Sequence, residues 1–175
     1  LDPSGNIHSW MQFMPRFKID REGDRLLSGS EAFLRIAERP NEFIHAADKS
    51  PKHGYEREVN CSLENTPWRI TIFQSASVAQ DATLVLSSKL VYIHDPETRS
   101  NITVATKTIE SFEEPLINYE DGSGFYHEFG DVVSEPMGVV LDARCIWSVE
   151  TKALTSGGAI QWKTDTVRFK NLASG

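Results

Sequence analysis

The chain has 175 residues, of which 39% are hydrophobic and 25% charged, enough for one ordinary domain with a real core. This composition excludes collagen, coiled coil and disordered tail, and the longest apolar runs, such as Leu84-Val85-Leu86, are too short to span a bilayer. The 18 Lys+Arg against 25 Asp+Glu give a net charge of −7, which argues against a nucleic-acid partner.

The residue pattern is mostly β, with Val, Ile, Thr, Phe and Trp in short runs separated by Gly, Pro, Asn, Asp and Ser. Ser9-Trp10-Met11-Gln12-Phe13 reads as a first strand. Ser30 to Arg39 has fair helix propensity, but Pro40 and the alternation of Phe33 and Arg35 against Leu34 and Ile36 favour a strand. Trp68-Arg69-Ile70-Thr71-Ile72-Phe73 alternates apolar and polar residues, as a half-buried strand does. Leu90-Val91-Tyr92-Ile93 and Thr166-Val167-Arg168-Phe169 read the same way.

An internal repeat organises these runs. Leu34-Arg35-Ile36, Val91-Tyr92-Ile93 and Val167-Arg168-Phe169 align as apolar–variable–apolar triplets. A turn follows the first two, at residues 38–42 and 95–100, and then a second apolar pair, Phe43-Ile44 or Ile102-Thr103-Val104. A tryptophan strand precedes each copy, at Trp10, Trp68 and Trp147. Repeated hairpins alternating with such strands predict an all-β fold of β-trefoil or related closed type, in which closure removes exposed edges.

Little catalytic chemistry is written here. The histidines His8, His45, His53, His94 and His127 lack zinc-type spacing, and no Cys-x-x-Cys, Gly-x-Ser-x-Gly elbow or phosphate-binding glycine loop occurs. No enzyme, no cofactor and no metal site is therefore expected. Cys61 and Cys145 are expected to be two buried thiols rather than a disulfide framework. The sequons at Asn60 and Asn101 are treated as chance triplets among seven asparagines. Between Glu110 and Glu150 ten acids face one base, Arg144; the stretch is expected to be a long solvated loop, since it lacks the Asp-x-Asp-x-Asp-Gly spacing of a calcium loop.

An ordered series of segments resembles the cytosolic N-terminal region of inositol 1,4,5-trisphosphate receptors. It comprises Leu1 to Trp10, Gly23-Asp24, Gly29, Leu34, Phe43-Ile44-His45-Ala46, Glu58-Val59-Asn60-Cys61, Trp68 to Phe73 and Val167 to Gly175. Ala143-Arg144-Cys145-Ile146-Trp147 and Ser156-Gly157 followed by Trp162 resemble ryanodine receptors, which share the architecture. The resemblance implies MIR-type β-trefoils: residues 1–75 as the C-terminal part of a first and residues 82–175 as the N-terminal part of a second, with a boundary near 75–81. It implies a fragment of a tetrameric calcium-release channel on the cytosolic face of the endoplasmic reticulum. The partners implied are other domains and subunits of that channel, and inositol trisphosphate through the wider N-terminal region; this segment itself is expected to contact neither nucleic acid nor membrane.

The family's Arg-Thr-Thr-Gly-Arg phosphate-binding loop has no counterpart between Thr106 and Cys145, so no ligand-binding residue is transferred. Several phosphates need Arg and Lys, and the acidic stretch would repel them. The expected function is a non-catalytic regulatory or ligand-coupling module of such a channel. The alternatives are a ryanodine-receptor-like scaffold without inositol phosphate binding, or a secretory-pathway MIR domain binding carbohydrate.

Overall fold

The computed structural model describes residues 10–48, 57–73, 84–107, 128–137, 142–152 and 158–174. Ten strands run in chain order: β1 Met11–Pro15, β2 Ser30–Ile36, β3 Phe43–Ala46, β4 Arg57–Ser62, β5 Trp68–Ile72, β6 Leu90–Asp95, β7 Ser100–Lys107, β8 Glu128–Pro136, β9 Trp147–Thr151 and β10 Thr166–Asn171. Their pairings are antiparallel. Among the described residues the only helix is a 3-10 turn at Ala143–Cys145. The chain is all-β.

Six strands close into a ring, each paired with the next: β1–β10–β9–β6–β5–β2 and back to β1. Closure follows from the sequence pattern. Alternate residues of these strands are apolar, so each strand has one face to bury, and a ring buries every such face against a common centre. That centre holds Phe13, Ala32, Leu34, Trp68, Ile70, Val91, Ile93, Trp147, Val149 and Val167, each no more than 2% exposed. The residues between them, among them Glu31, Arg69, His94 and Arg168, point the other way.

One end of the ring is closed by a cycle of three backbone hydrogen bonds. The N–H of Leu26 donates to Ile160 O (2.7 Å), that of Ile160 to Val85 O (2.9 Å), and that of Val85 to Leu26 O (3.0 Å). All three side chains are fully buried. Three residues on, a turn in each copy returns a backbone N–H to the ring: Gly29 to Ile70 O, Ser88 to Val149 O and Lys163 to Phe13 O. These turns need the left-handed region, and φ is 87° at Gly29, 70° at Ser88 and 61° at Lys163. Only the first copy uses the residue for which that conformation is free of strain.

Two hairpins, β3–β4 and β7–β8, cover the other end, and they meet where Arg57 and Glu58 pair with Ser134 and Val133. Each is fastened by a buried tryptophan. The Trp68 indole N–H donates to Ile44 O and the Trp147 indole N–H to Ile102 O, both at 3.0 Å. A trefoil carries three hairpins; the described residues form two.

The repeat read from the sequence holds with two corrections. Ala32 pairs with Trp68 and Val91 with Trp147, so the first triplet is Ala32-Phe33-Leu34 rather than Leu34-Arg35-Ile36. The shift is two residues and preserves the buried face, which is why periodicity could not detect it. In the ring position of Trp68 and Trp147 the third copy has Met11, paired with Val167. Trp10 instead lies half-buried outside, under the Arg168 guanidinium at 5.2 Å.

The acidic stretch is also corrected. It is not one long loop: β8, the 3-10 turn and most of β9 lie within it, while residues 108–127 fall outside the description. The expected boundary at 75–81 lies outside it as well, with strands from both sides of that boundary sharing the ring.

Candidate functional site

The polar chemistry concentrates where the hairpins join the ring. Strand register lays a row of side chains across the outer face: Glu31 on β2 opposite Arg69 on β5, Arg69 opposite His94 on β6, His94 opposite Asn101 on β7, and Asn101 opposite Glu135 on β8. Arginines close both ends. Arg16 donates to Glu31 at 2.9 Å and to Glu97 at 2.8 Å, and Arg144 lies 3.5 Å from Glu135. Arg69 also donates to Glu31. Its hydrogen bond and charge, with those of Arg16, hold the Glu31 carboxyl below the usual carboxylate range despite partial burial.

On the inner side Asp95 continues the row of Val91 and Ile93, and is only 3% exposed. A carboxylate so buried must be fully bonded. It accepts from the Glu97 backbone N–H (2.8 Å), the Thr98 hydroxyl (2.8 Å) and Arg57 Nη1 (3.2 Å). Arg57 in turn donates to the carbonyls of Ala46 and Ala47. One buried ion pair thus ties hairpin β3–β4 to the root of hairpin β7–β8. Asn171 occupies the matching place in the third copy, where its Oδ1 accepts from the N–H groups of Ala173 (2.9 Å) and Ser174 (3.1 Å).

His94 and Asn101 stand out in the row. His94 is 9% exposed and Asn101 4%, yet His94 Nδ1 and Asn101 Oδ1 have no hydrogen-bond partner among the described residues. Burial first, then the Arg69 charge, lower the His94 pKa. Burial at Asn101 also leaves no room for a glycan on that sequon in the folded chain. His45 lies in β3 with Nδ1 3.0 Å from Thr66 Oγ1, and His8, His53 and His127 lie outside the described residues.

Two further acids near the row are matched by arginine. Glu150 accepts from Arg168 at 2.6 Å. Arg144 donates to Asp142 through Nε (3.0 Å) and Nη2 (2.9 Å); burial pushes the Asp142 pKa up, but these bonds, the backbone N–H bonds of Arg144 and Cys145 and the Arg144 charge together lower it. Among the described residues no group of three or more His, Cys, Asp or Glu side chains is placed to hold a metal ion. One of the two thiols differs from the expectation that both are buried. Cys145 is buried, but Cys61 is exposed, on an edge-facing position of β4. Sequence reasoning missed β4 and β8 altogether, so it could not find the Arg57–Asp95 pair or the Asn101–Glu135 step. The one signal was Arg57-Glu58-Val59, too polar and too short to read as a strand.

Residues 1–78 match the family described as inositol 1,4,5-trisphosphate/ryanodine receptor. The match supports the superfamily resemblance and the calcium-release channel theme. No solved structure matches the chain. No helix of the described residues is long and apolar enough to cross a membrane.

Proposed function

We propose that the chain is a non-catalytic regulatory module of an intracellular calcium-release channel, acting through its contacts with other domains and subunits of a tetramer on the cytosolic face of the endoplasmic reticulum. The observation that carries this reading is the family match over residues 1–78. Those residues include β1 to β5, half of the closed ring and the whole of one hairpin. The division into residues 1–75 and 82–175, as parts of two successive trefoils, is what the resemblance implies for the parent channel; in this chain the two parts share one ring. A module of this kind works by coupling: a ligand bound elsewhere shifts an interface between two arrangements, and the shift passes on through rigid elements. The charged row and the Arg57–Asp95 pair are the contacts through which one hairpin would feel a displacement of the other.

A second reading, a ryanodine-receptor-like scaffold that takes no inositol phosphate, is favoured by the state of the arginines. Arg16, Arg39, Arg57, Arg69, Arg144 and Arg168 are all bonded to carboxylates. A polyphosphate would have to displace those acids before it gained its own charge-assisted bonds.

Calorimetric titration of inositol 1,4,5-trisphosphate into the whole N-terminal region of a channel that carries this segment separates the two. Saturable binding that weakens with salt supports the ligand-coupled module; a flat titration of the folded region supports the scaffold. The channel role itself is tested by putting Asp95→Asn into a channel that carries this segment. A shifted ligand requirement for calcium release, with assembly intact, supports coupling through the module. An unchanged response overturns it.

A further inference from the structure

We propose that His94 is an acid-sensitive joint: protonation of its imidazole loosens the seam that holds hairpin β7–β8 to the ring. The argument starts from register. His94 lies between Arg69 on β5 and Asn101 on β7. Neighbouring strands are about 4.8 Å apart, so Glu31 and Glu135 are each two strands away, about 10 Å. Both are already engaged, Glu31 with Arg69 and Arg16, Glu135 with Arg144. Asp95 is adjacent in sequence but faces the interior, bound to Arg57. Tyr92, on the same face of β6, offers its ring, stacked on the imidazole at 5.6 Å.

The charged group nearest across the sheet is therefore a cation. An imidazolium here would carry a buried Nδ1–H with no acceptor in place, beside a guanidinium already committed to Glu31. Among the described residues Asn101 Oδ1 is a buried acceptor without a partner beside His94, and reaching it requires β6 and β7 to readjust at His94↔Asn101 and Asp95↔Ser100. Those two positions are the whole β6–β7 register. Few backbone bonds join β6 to β7 there, and beyond them the hairpin is held by the Trp147 indole bond to Ile102 O and by its pairing with β4.

The sign follows from linkage. His94 binds its proton less readily folded than unfolded, so acid favours the loosened state. The effect starts as pH falls below the ordinary histidine value and grows until the folded pKa is passed. One proton allows no more than about tenfold in the opening equilibrium per pH unit.

Amide hydrogen exchange on the intact chain, corrected for intrinsic rates, tests this between about pH 8 and about pH 5, either side of the ordinary histidine pKa. The expected result is that protection of the amides at the β6–β7 seam, among His94, Asp95, Ser100 and Asn101, falls with acid while that of Val149 and Val167 holds. His94→Gln should abolish the difference, and His45→Gln should leave it. A response that survives His94→Gln overturns the proposal. Should that variant fail to fold, NMR titration of the His94 ring in the unaltered chain decides: a pKa at or above the ordinary value also overturns it.

Discussion

Asp95→Asn isolates the worth of the ion pair that joins the two hairpins. The substitution keeps the side chain's shape, and the third copy shows what an amide does there: Asn171 Oδ1 accepts the N–H groups two and three residues on, as Asp95 Oδ1 accepts from Glu97 and Thr98. The turn is therefore retained. What is lost is the 3.2 Å charge-assisted bond from Arg57, replaced by an amide N–H₂ facing a guanidinium, and the Thr98 hydroxyl, which donates to the same oxygen at 2.8 Å, has to turn and accept from the amide instead. Arg57 keeps its bonds to the Ala46 and Ala47 carbonyls and is 21% exposed, so it is not stranded. These facts place the cost near that of one hydrogen bond to a charged group, about 2 kcal/mol. Asp95→Ala removes the turn acceptors as well and approaches about 4 kcal/mol, the range for breaking a buried pair. Urea unfolding followed by tryptophan fluorescence reads both, with unchanged m, and Tm should fall by about 4–8 °C for the milder variant. A double-mutant cycle with Arg57→Met should return most of the Asp95→Asn effect as coupling. A loss below about 0.5 kcal/mol, or coupling of that size, would refute the assignment of this pair as the tie between hairpins.

Trp68→Phe and Trp147→Phe should each cost about 1–3 kcal/mol, because each leaves a buried carbonyl, of Ile44 or Ile102, without its donor; Trp10→Phe should cost less than either, and equilibrium unfolding ranks all three. Ser88→Gly and Lys163→Gly should raise stability by about 0.5–1 kcal/mol by relieving left-handed strain, whereas Gly29→Ala should lower it, checked by thermal melts. The depressed Glu31 carboxyl contributes stability that is present above its unfolded pKa and lost as pH falls through the folded one, so Glu31→Gln should flatten the acid limb of a stability–pH curve. A thiol reagent should add one label to the native chain, at Cys61, and a second only after unfolding; burial raises both thiol pKa values, so labelling at Cys61 should quicken with alkaline pH.

The amino-acid order by itself determined the strand class and most ring strands. Trp68-Arg69-Ile70-Thr71-Ile72 alternates large apolar and polar residues, and that period is a local property that survives in any all-β packing. The turns at residues 38–42 and 95–100 were legible for the same reason, since Pro, Asn and Asp act on their own backbone. The family resemblance lay in the order of such segments. Tertiary structure alone decided the rest. A two-residue shift leaves periodicity untouched, so only pairing with Trp68 could place Ala32 as the counterpart of Val91. Strand β4 buries little and alternates poorly, and both β4 and β8 exist because each has a partner strand supplied from elsewhere in the chain. The row from Glu31 to Glu135 is assembled from five strands separated along the sequence, and no spacing rule links its members. Register across a closed ring is a global quantity, and the polar site is written in register.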